Sequence, residues 1–154
     1  MDTAPPAIIL RLLDIFGRAI VKGLAGTLIS DPSKINRVAI HQWYPIWRLE
    51  RDISKALQLG ESIVNLVSEP LPMKAVLSEL FPGQTGHIST PAPYSRIMTR
   101  YAKEFGGAGG YIMTAAEVLD ELCRHVRAER IRRGEPKPAF AEPAANRLHA
   151  RAAE

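Results

Sequence analysis

A single cysteine, Cys123, stands among 154 residues, so no intramolecular disulfide framework can form, and a reducing compartment, the cytoplasm, is expected. Nowhere does the chain approach the roughly 18 consecutive apolar residues of a membrane span, so no membrane role is expected. The first charge is Asp2, and the basic cluster and apolar core of a secretory signal are missing. The histidines His41, His87, His125 and His149 are scattered, none with a second His or Cys at metal-ligand spacing, and no metal is expected. No Gly-x-Ser-x-Gly element offers a serine nucleophile.

Charge is uneven. Residues 1–123 carry twelve basic and twelve acidic side chains, whereas residues 124–154 carry eight basic and four acidic, so the whole net charge of +4 sits at the C-terminal end. Attraction to polyanions would have to come from there. The run Arg124, Arg127, Arg130, Arg132 and Arg133 lacks interleaved aromatics and a recognition motif, which argues for a solvated helix end and against nucleic-acid binding.

What is present alternates between strand-like and helix-like patterns. Ala7–Leu13 (AIILRLL) is apolar apart from Arg11 and reads as a strand buried on both faces. Ile20, Val21, Leu24 and Leu28 fall on one helical face, weakened by Gly23 and Gly26. Val38–Tyr44 reads as a second strand, with His41 and Gln42 pointing to opposite sides. Pro45 can open a helix whose face is Ile46, Leu49, Ile53, Ala56 and Leu57 and whose cap is Gly60. Ser62–Val67 reads as a third strand, and Met73, Val76, Leu77 and Leu80 as a short amphipathic helix. A loop follows, with a short strand near His87–Ser89 and a short helix around Ile97–Glu104, broken by the Gly106–Gly110 cluster, which reads as a flexible turn. Thr114 and Glu117 have the spacing of a capping box, opening a last helix with the stripe Val118, Leu119, Leu122 and Val126 that frays near Arg133-Gly134. The expected fold is therefore α/β, with a thin sheet of about three strands over residues 1–130 and a disordered basic tail over 131–154.

Several segments resemble the extended short-chain dehydrogenases, the NAD-dependent epimerase/dehydratase family. Arg11–Gly17 (RLLDIFG) is similar to the strand and loop after that family's catalytic segment. His41–Leu57 (HQWYPIWRLERDISKAL) resembles a later strand and helix, and Asn65–Pro70 (NLVSEP) a strand-to-turn element. Phe105–Leu122 (FGGAGGYIMTAAEVLDEL) fits the family's C-terminal end. The resemblance covers about residues 7–130 and implies a partial Rossmann-like sheet, the substrate-side portion of an NAD(P)-dependent oxidoreductase. The family's Gly-rich dinucleotide turn and its Tyr-x-x-x-Lys pair have no counterpart: Tyr44, Tyr94, Tyr101 and Tyr111 are followed four residues later by Arg48, Met98, Phe105 and Ala115. Full-length relatives would use NAD(P); this chain alone is expected to hold no cofactor, to have no catalytic residues and to turn nothing over. Its expected partner is a missing Rossmann half or a second copy of itself, since an apolar strand edge invites pairing.

The candidate substrate-binding residues are Arg11, Gln42, Tyr44 and Arg48. Arg11, a charge in an apolar strand, either pairs with a carboxylate such as Asp14 or faces a cleft. Trp43, Tyr44 and Trp47 either stack on a sugar or a nicotinamide or fill the core. Asp14, Asp52, Glu69 and Asp120 read as solvated, and Cys123 as a buried inert thiol.

Overall fold

Residues 9–16 form one extended segment that the fold uses twice. In the computed structural model, which describes residues 7–20 and 22–135, β1 (Ile9–Arg11) pairs in parallel with β5 (Ile63–Asn65) and β2 (Asp14–Phe16) pairs in parallel with β4 (Trp43–Pro45). A third ladder is antiparallel, β3 (Ile40–His41) with β6 (Leu71–Pro72). The result is a mixed α/β arrangement of small ladders flanked by the helices α1 (Gly23–Ser30), α2 (Leu49–Leu59), α3 (Met73–Leu80) and α4 (Ala115–Arg132).

The core lies where these helices meet the strands. Phe16, Trp43, Tyr44 and Val64 from the strands pack with Leu28 and Ile29 of α1, Val76 and Leu77 of α3, and Val118, Leu122 and Val126 of α4. Local signals govern the helix ends. Gly60, at φ 69°, caps α2 in the left-handed conformation that glycine tolerates. At α4 the Thr114 hydroxyl accepts from the Glu117 N–H at 3.2 Å, while the Glu117 carboxylate accepts from the Thr114 N–H at 2.8 Å, which completes the expected capping box. α4 runs to Arg132 and turns at Arg133-Gly134. None of the helices among the described residues is long and apolar enough to cross a membrane.

Five expectations are corrected. β1 is not buried on both faces: Ile9 is 56% exposed and its register partner Ile63 is 42% exposed, because only the open cleft walled by residues 98–101 lies over that face. Pro45 ends β4 and caps a 3₁₀ turn over Ile46–Arg48, so α2 begins only at Leu49. The inner face of α2 is Asp52 and Ala56, while Ile53 and Leu57 are exposed, because the helix turns its acid toward Tyr44. Ile97–Glu104 is not a helix, and only Lys103–Phe105 makes a 3₁₀ turn. Its backbone groups have tertiary partners instead: Ile97 bonds to Gln42, the Met98 carbonyl to Asn65, and the Thr99 N–H to the Gly110 carbonyl. Near His87–Ser89 there is an isolated bridge from His87 to Asn36 rather than a strand. Val21, and the basic tail from residue 136 onward, lie outside the described residues.

Candidate ligand cleft

β1 and β5 end in register at Arg11 and Asn65, and both side chains enter one open cleft of about 530 Å³. Ile63, Met98, Thr99, Arg100 and Tyr101 complete its lining. Asn65 ties the loop to the strand by donating from Nδ2 to the Met98 carbonyl at 3.1 Å. Its Oδ1 is buried without a hydrogen-bond partner, an acceptor left without a donor at the cleft wall. The Thr99 hydroxyl accepts from the Tyr101 N–H at 3.2 Å, and the Arg100 guanidinium lies 5.6 Å from the Tyr101 ring centroid. A hydrogen bond to Glu61 raises the Tyr101 phenol above its ordinary value. The lining residues include two guanidiniums, Arg11 and Arg100, the groups that would meet a carboxylate or phosphate, while the Glu61 carboxylate bonds to the lining Tyr101.

Of the two settings expected for it, a carboxylate partner or a cleft, Arg11 is found at the cleft. Asp14 does not reach it, because the Asp14 carboxylate bonds to His41 Nδ1 at 2.7 Å. Arg11 makes no ion pair among the described residues and faces the cleft.

The other three candidates lie elsewhere. Gln42 is fully buried, and its amide donates to the carbonyls of Ser68 (2.6 Å) and Ile97 (2.7 Å) and accepts from the Ile97 N–H (2.6 Å). Its hydrogen-bonding capacity is largely spent on holding the fold. Tyr44 is also buried, and its hydroxyl donates to Asp52 at 3.0 Å. Burial and the neighbouring Asp52 raise the Tyr44 phenol far above its ordinary range, so it is a neutral donor, unsuited to shuttling protons near neutral pH. Arg48 donates from Nε to Asp52 at 3.2 Å and from a terminal amino group to the Phe105 carbonyl at 3.2 Å.

Asp52 is thus the centre of a buried hub, not the solvated acid its position suggested, with Tyr44, Arg48 and Arg51 as donors. Glu69 is likewise occupied, accepting from the Ala115 N–H at the start of α4 at 2.8 Å. Asp14 binds His41, and Asp120 pairs with Arg124. The basic run is also matched by acids: Arg127 with Glu79, Arg130 with Glu135 and Arg132 with Glu129. Of the three clustered aromatics, Trp43 and Tyr44 are core and only Trp47 reaches solvent. Cys123 is buried, and burial pushes its thiol up to about 12, as expected of an inert thiol.

Sequence reasoning overlooked Asn65, Thr99, Arg100 and Tyr101 as cleft residues. Only the register of two strands distant in sequence brings Asn65 beside Arg11, and residues 98–101 have no periodicity that would signal an irregular wall. Comparison with protein-family models, with curated proteins and with solved structures yields no match to this chain.

Proposed function

We propose that this chain is the substrate-side portion of an NAD(P)-dependent epimerase/dehydratase-like oxidoreductase, inactive alone and completed by a Rossmann-type half. The observation that carries this reading is the parallel pair β1–β5, only partly covered, with Ile9 and Ile63 side by side and exposed on its open face. Parallel ribbons are rarely left open on one face, because their crossovers put helices on both. The cationic cleft at the carboxyl ends of the same two strands supports the reading, since open α/β sheets bind ligands at those ends. Arg11 would hold an anionic group of the substrate there.

The test has two arms. NADH and NADPH are titrated against the isolated chain and followed by nucleotide fluorescence; no saturable change is expected, and tight binding would overturn the reading. The chain is then mixed with a soluble domain that carries a Gly-rich βαβ unit and a Tyr-x-x-x-Lys pair. Co-elution and recovered coenzyme binding are expected, and separate elution counts against the proposal.

A second reading, an interaction module that closes its own sheet by self-association, is favoured by one feature. The Ile9 N–H donates to the Ser62 carbonyl and the Arg11 carbonyl accepts from Leu66, so β1 turns these groups toward β5. By alternation, Leu10 and Leu12 turn theirs to the opposite edge, where β4 takes over only from Asp14. Such an edge can accept a strand from a second copy. Light scattering after size exclusion separates the two readings: a dimer that grows with concentration favours self-association, and a monomer at all concentrations rules it out.

A further inference from the structure

A second cleft, of about 250 Å³, shares no residue with the Arg11 cleft. Three segments line it: Arg37, the α3 residues Lys74, Leu77 and Ser78, and the turn over residues 82–85. Lys74, Leu77 and Ser78 recur at the three- and four-residue spacing that puts them on one face of α3. The chain after the turn is held against that face. Gly86, at φ 62°, makes the approach possible: a Cβ there would come within 2.6 Å of the Ile35 carbonyl oxygen and 2.9 Å of Leu77 Cδ1. The His87 N–H donates to the Ile35 carbonyl, and the Arg37 N–H to the His87 carbonyl, each at 3.0 Å. Asn36 adds two bonds to Ser89, donating from Nδ2 to its carbonyl at 2.8 Å and accepting at Oδ1 from its N–H at 3.3 Å. The backbone that carries Arg37 is thus tied to the segment that follows the turn, and the walls are set before any ligand arrives.

Its polar side chains are uncommitted donors. Arg37, Lys74, Ser78, Gln84 and Thr85 make no side-chain hydrogen bond or ion pair among the described residues. Arg37 is half-buried and the other four are exposed, so a solute can reach all five. No carboxylate lines the cleft, and the one acid of α3, Glu79, is paired with Arg127. Leu77 and Pro82 supply the apolar part of the wall.

Charge, donor geometry and size select the ligand class. Two permanent positive charges with no negative one favour an anion, and a dianion over a monoanion. A planar guanidinium fork, an ammonium, two hydroxyls and an amide approach from three segments of chain. Such a set matches a tetrahedral group with three terminal oxygens better than a flat carboxylate with two. The volume lies under the roughly 300 Å³ at which pockets for drug-sized molecules begin, so the ligand is small or only its head group enters. We infer that the cleft between α3 and the 82–85 turn binds a phosphate monoester. This inference does not rest on the function proposed above, since it concerns a different cleft and needs no coenzyme or completing half.

The test follows backbone N–H signals of the full nitrogen-labelled chain. It is titrated with glycerol phosphate and with a short phosphoserine peptide, and with dimethyl phosphate and malonate as monoanionic and dicarboxylate controls. At least one monoester is expected to move Ser78, Gly83 and Thr85 saturably, while the controls leave them in place. Tighter binding of glycerol phosphate identifies a free metabolite as the source of the group, and tighter binding of the peptide a phosphorylated side chain; either result supports the inference. Arg37→Gln should weaken binding by about ten-fold, the loss of a charge-assisted pair, and Arg37→Lys, which keeps the charge but not the fork, by less. Lys74→Gln should weaken it by about five-fold. Unfolding midpoints should hold in all three variants, because neither side chain is bonded to the rest of the fold. Silence with both monoesters, an equal response to dimethyl phosphate or malonate, shifts confined to Thr99–Tyr101 at the other cleft, or undiminished binding by Arg37→Gln would each overturn the inference.

Discussion

The side-chain amide of Gln42 pairs with the backbone of Ile97 in both directions, accepting from its N–H at 2.6 Å and donating to its carbonyl at 2.7 Å. A glutamine here does what a neighbouring strand would do. It fastens the irregular 97–101 wall to the sheet, fifty-five residues away in sequence, and its third bond, to the Ser68 carbonyl, ties in the connection between β5 and β6.

Replacing Gln42 by Met keeps the length and removes all three bonds. The buried Ser68 carbonyl and the part-buried carbonyl and N–H of Ile97 are then unpartnered, and a loss of about 3 kcal/mol is expected. Urea unfolding measures it. Hydrogen exchange at Thr99–Tyr101 should accelerate in the variant, and an unchanged midpoint would show that water replaces the amide at no cost.

Asp52 is fully buried and gathers Tyr44, Arg48 and Arg51. Asp52→Ala leaves Arg48 facing the interior without its counter-charge, and about 3–5 kcal/mol should be lost. Tyr44→Phe removes only one neutral donor and should cost about 1 kcal/mol. The ratio of the two, read from denaturant midpoints, distinguishes a charge hub from a set of equivalent hydrogen bonds.

Burial holds the His125 imidazole below its ordinary value of 6.5, with Glu129 opposing the shift. The folded state therefore takes up its proton at lower pH than the unfolded chain. Stability from this residue is complete above the ordinary value and declines as pH falls below it, because the unfolded state binds the proton first. A His125→Leu variant lacks this slope. Thermal midpoints of the two proteins, compared from pH 7.5 down to about 5, should diverge in favour of the variant on the acid side; parallel curves would contradict the assignment.

Gly107 sits where a Cβ would come within 2.0 Å of the Tyr111 carbonyl oxygen, whereas Gly109 has nothing within 4 Å. Gly107→Ala must displace backbone and should cost about 1–3 kcal/mol. Gly109→Ala suffers only its positive φ of 63° and should cost about 1 kcal/mol. Calorimetry of the pair checks whether this glycine cluster is packed or merely flexible.

That cluster illustrates how far the sequence could be read. Five residues containing four glycines announce a turn, but not that Gly110 lies against Met98 or that Gly107 is wedged under Tyr111. The candidate cleft was legible by one residue: Arg11 stood out as a charge in an apolar run, and the structure puts it at the cleft wall. Gln42, Tyr44 and Arg48 stood out as polar and aromatic residues at a strand–helix junction, and they turn out to hold the fold together.

Everything the sequence by itself determined is local. The stripe of α3, the capping box of Thr114 and Glu117, the glycine that closes α2 and the inert Cys123 depend on neighbours a few residues away or on simple apolarity. Tertiary structure alone decided which face of α2 is buried, which carboxylate meets which guanidinium, and that Arg11 and Asn65 share a cleft while Arg37 and Lys74 share another. The physical reason is that burial and pairing are properties of what lies opposite. A polar side chain goes inside wherever enough partners converge to replace water, and the linear order of residues does not record that convergence.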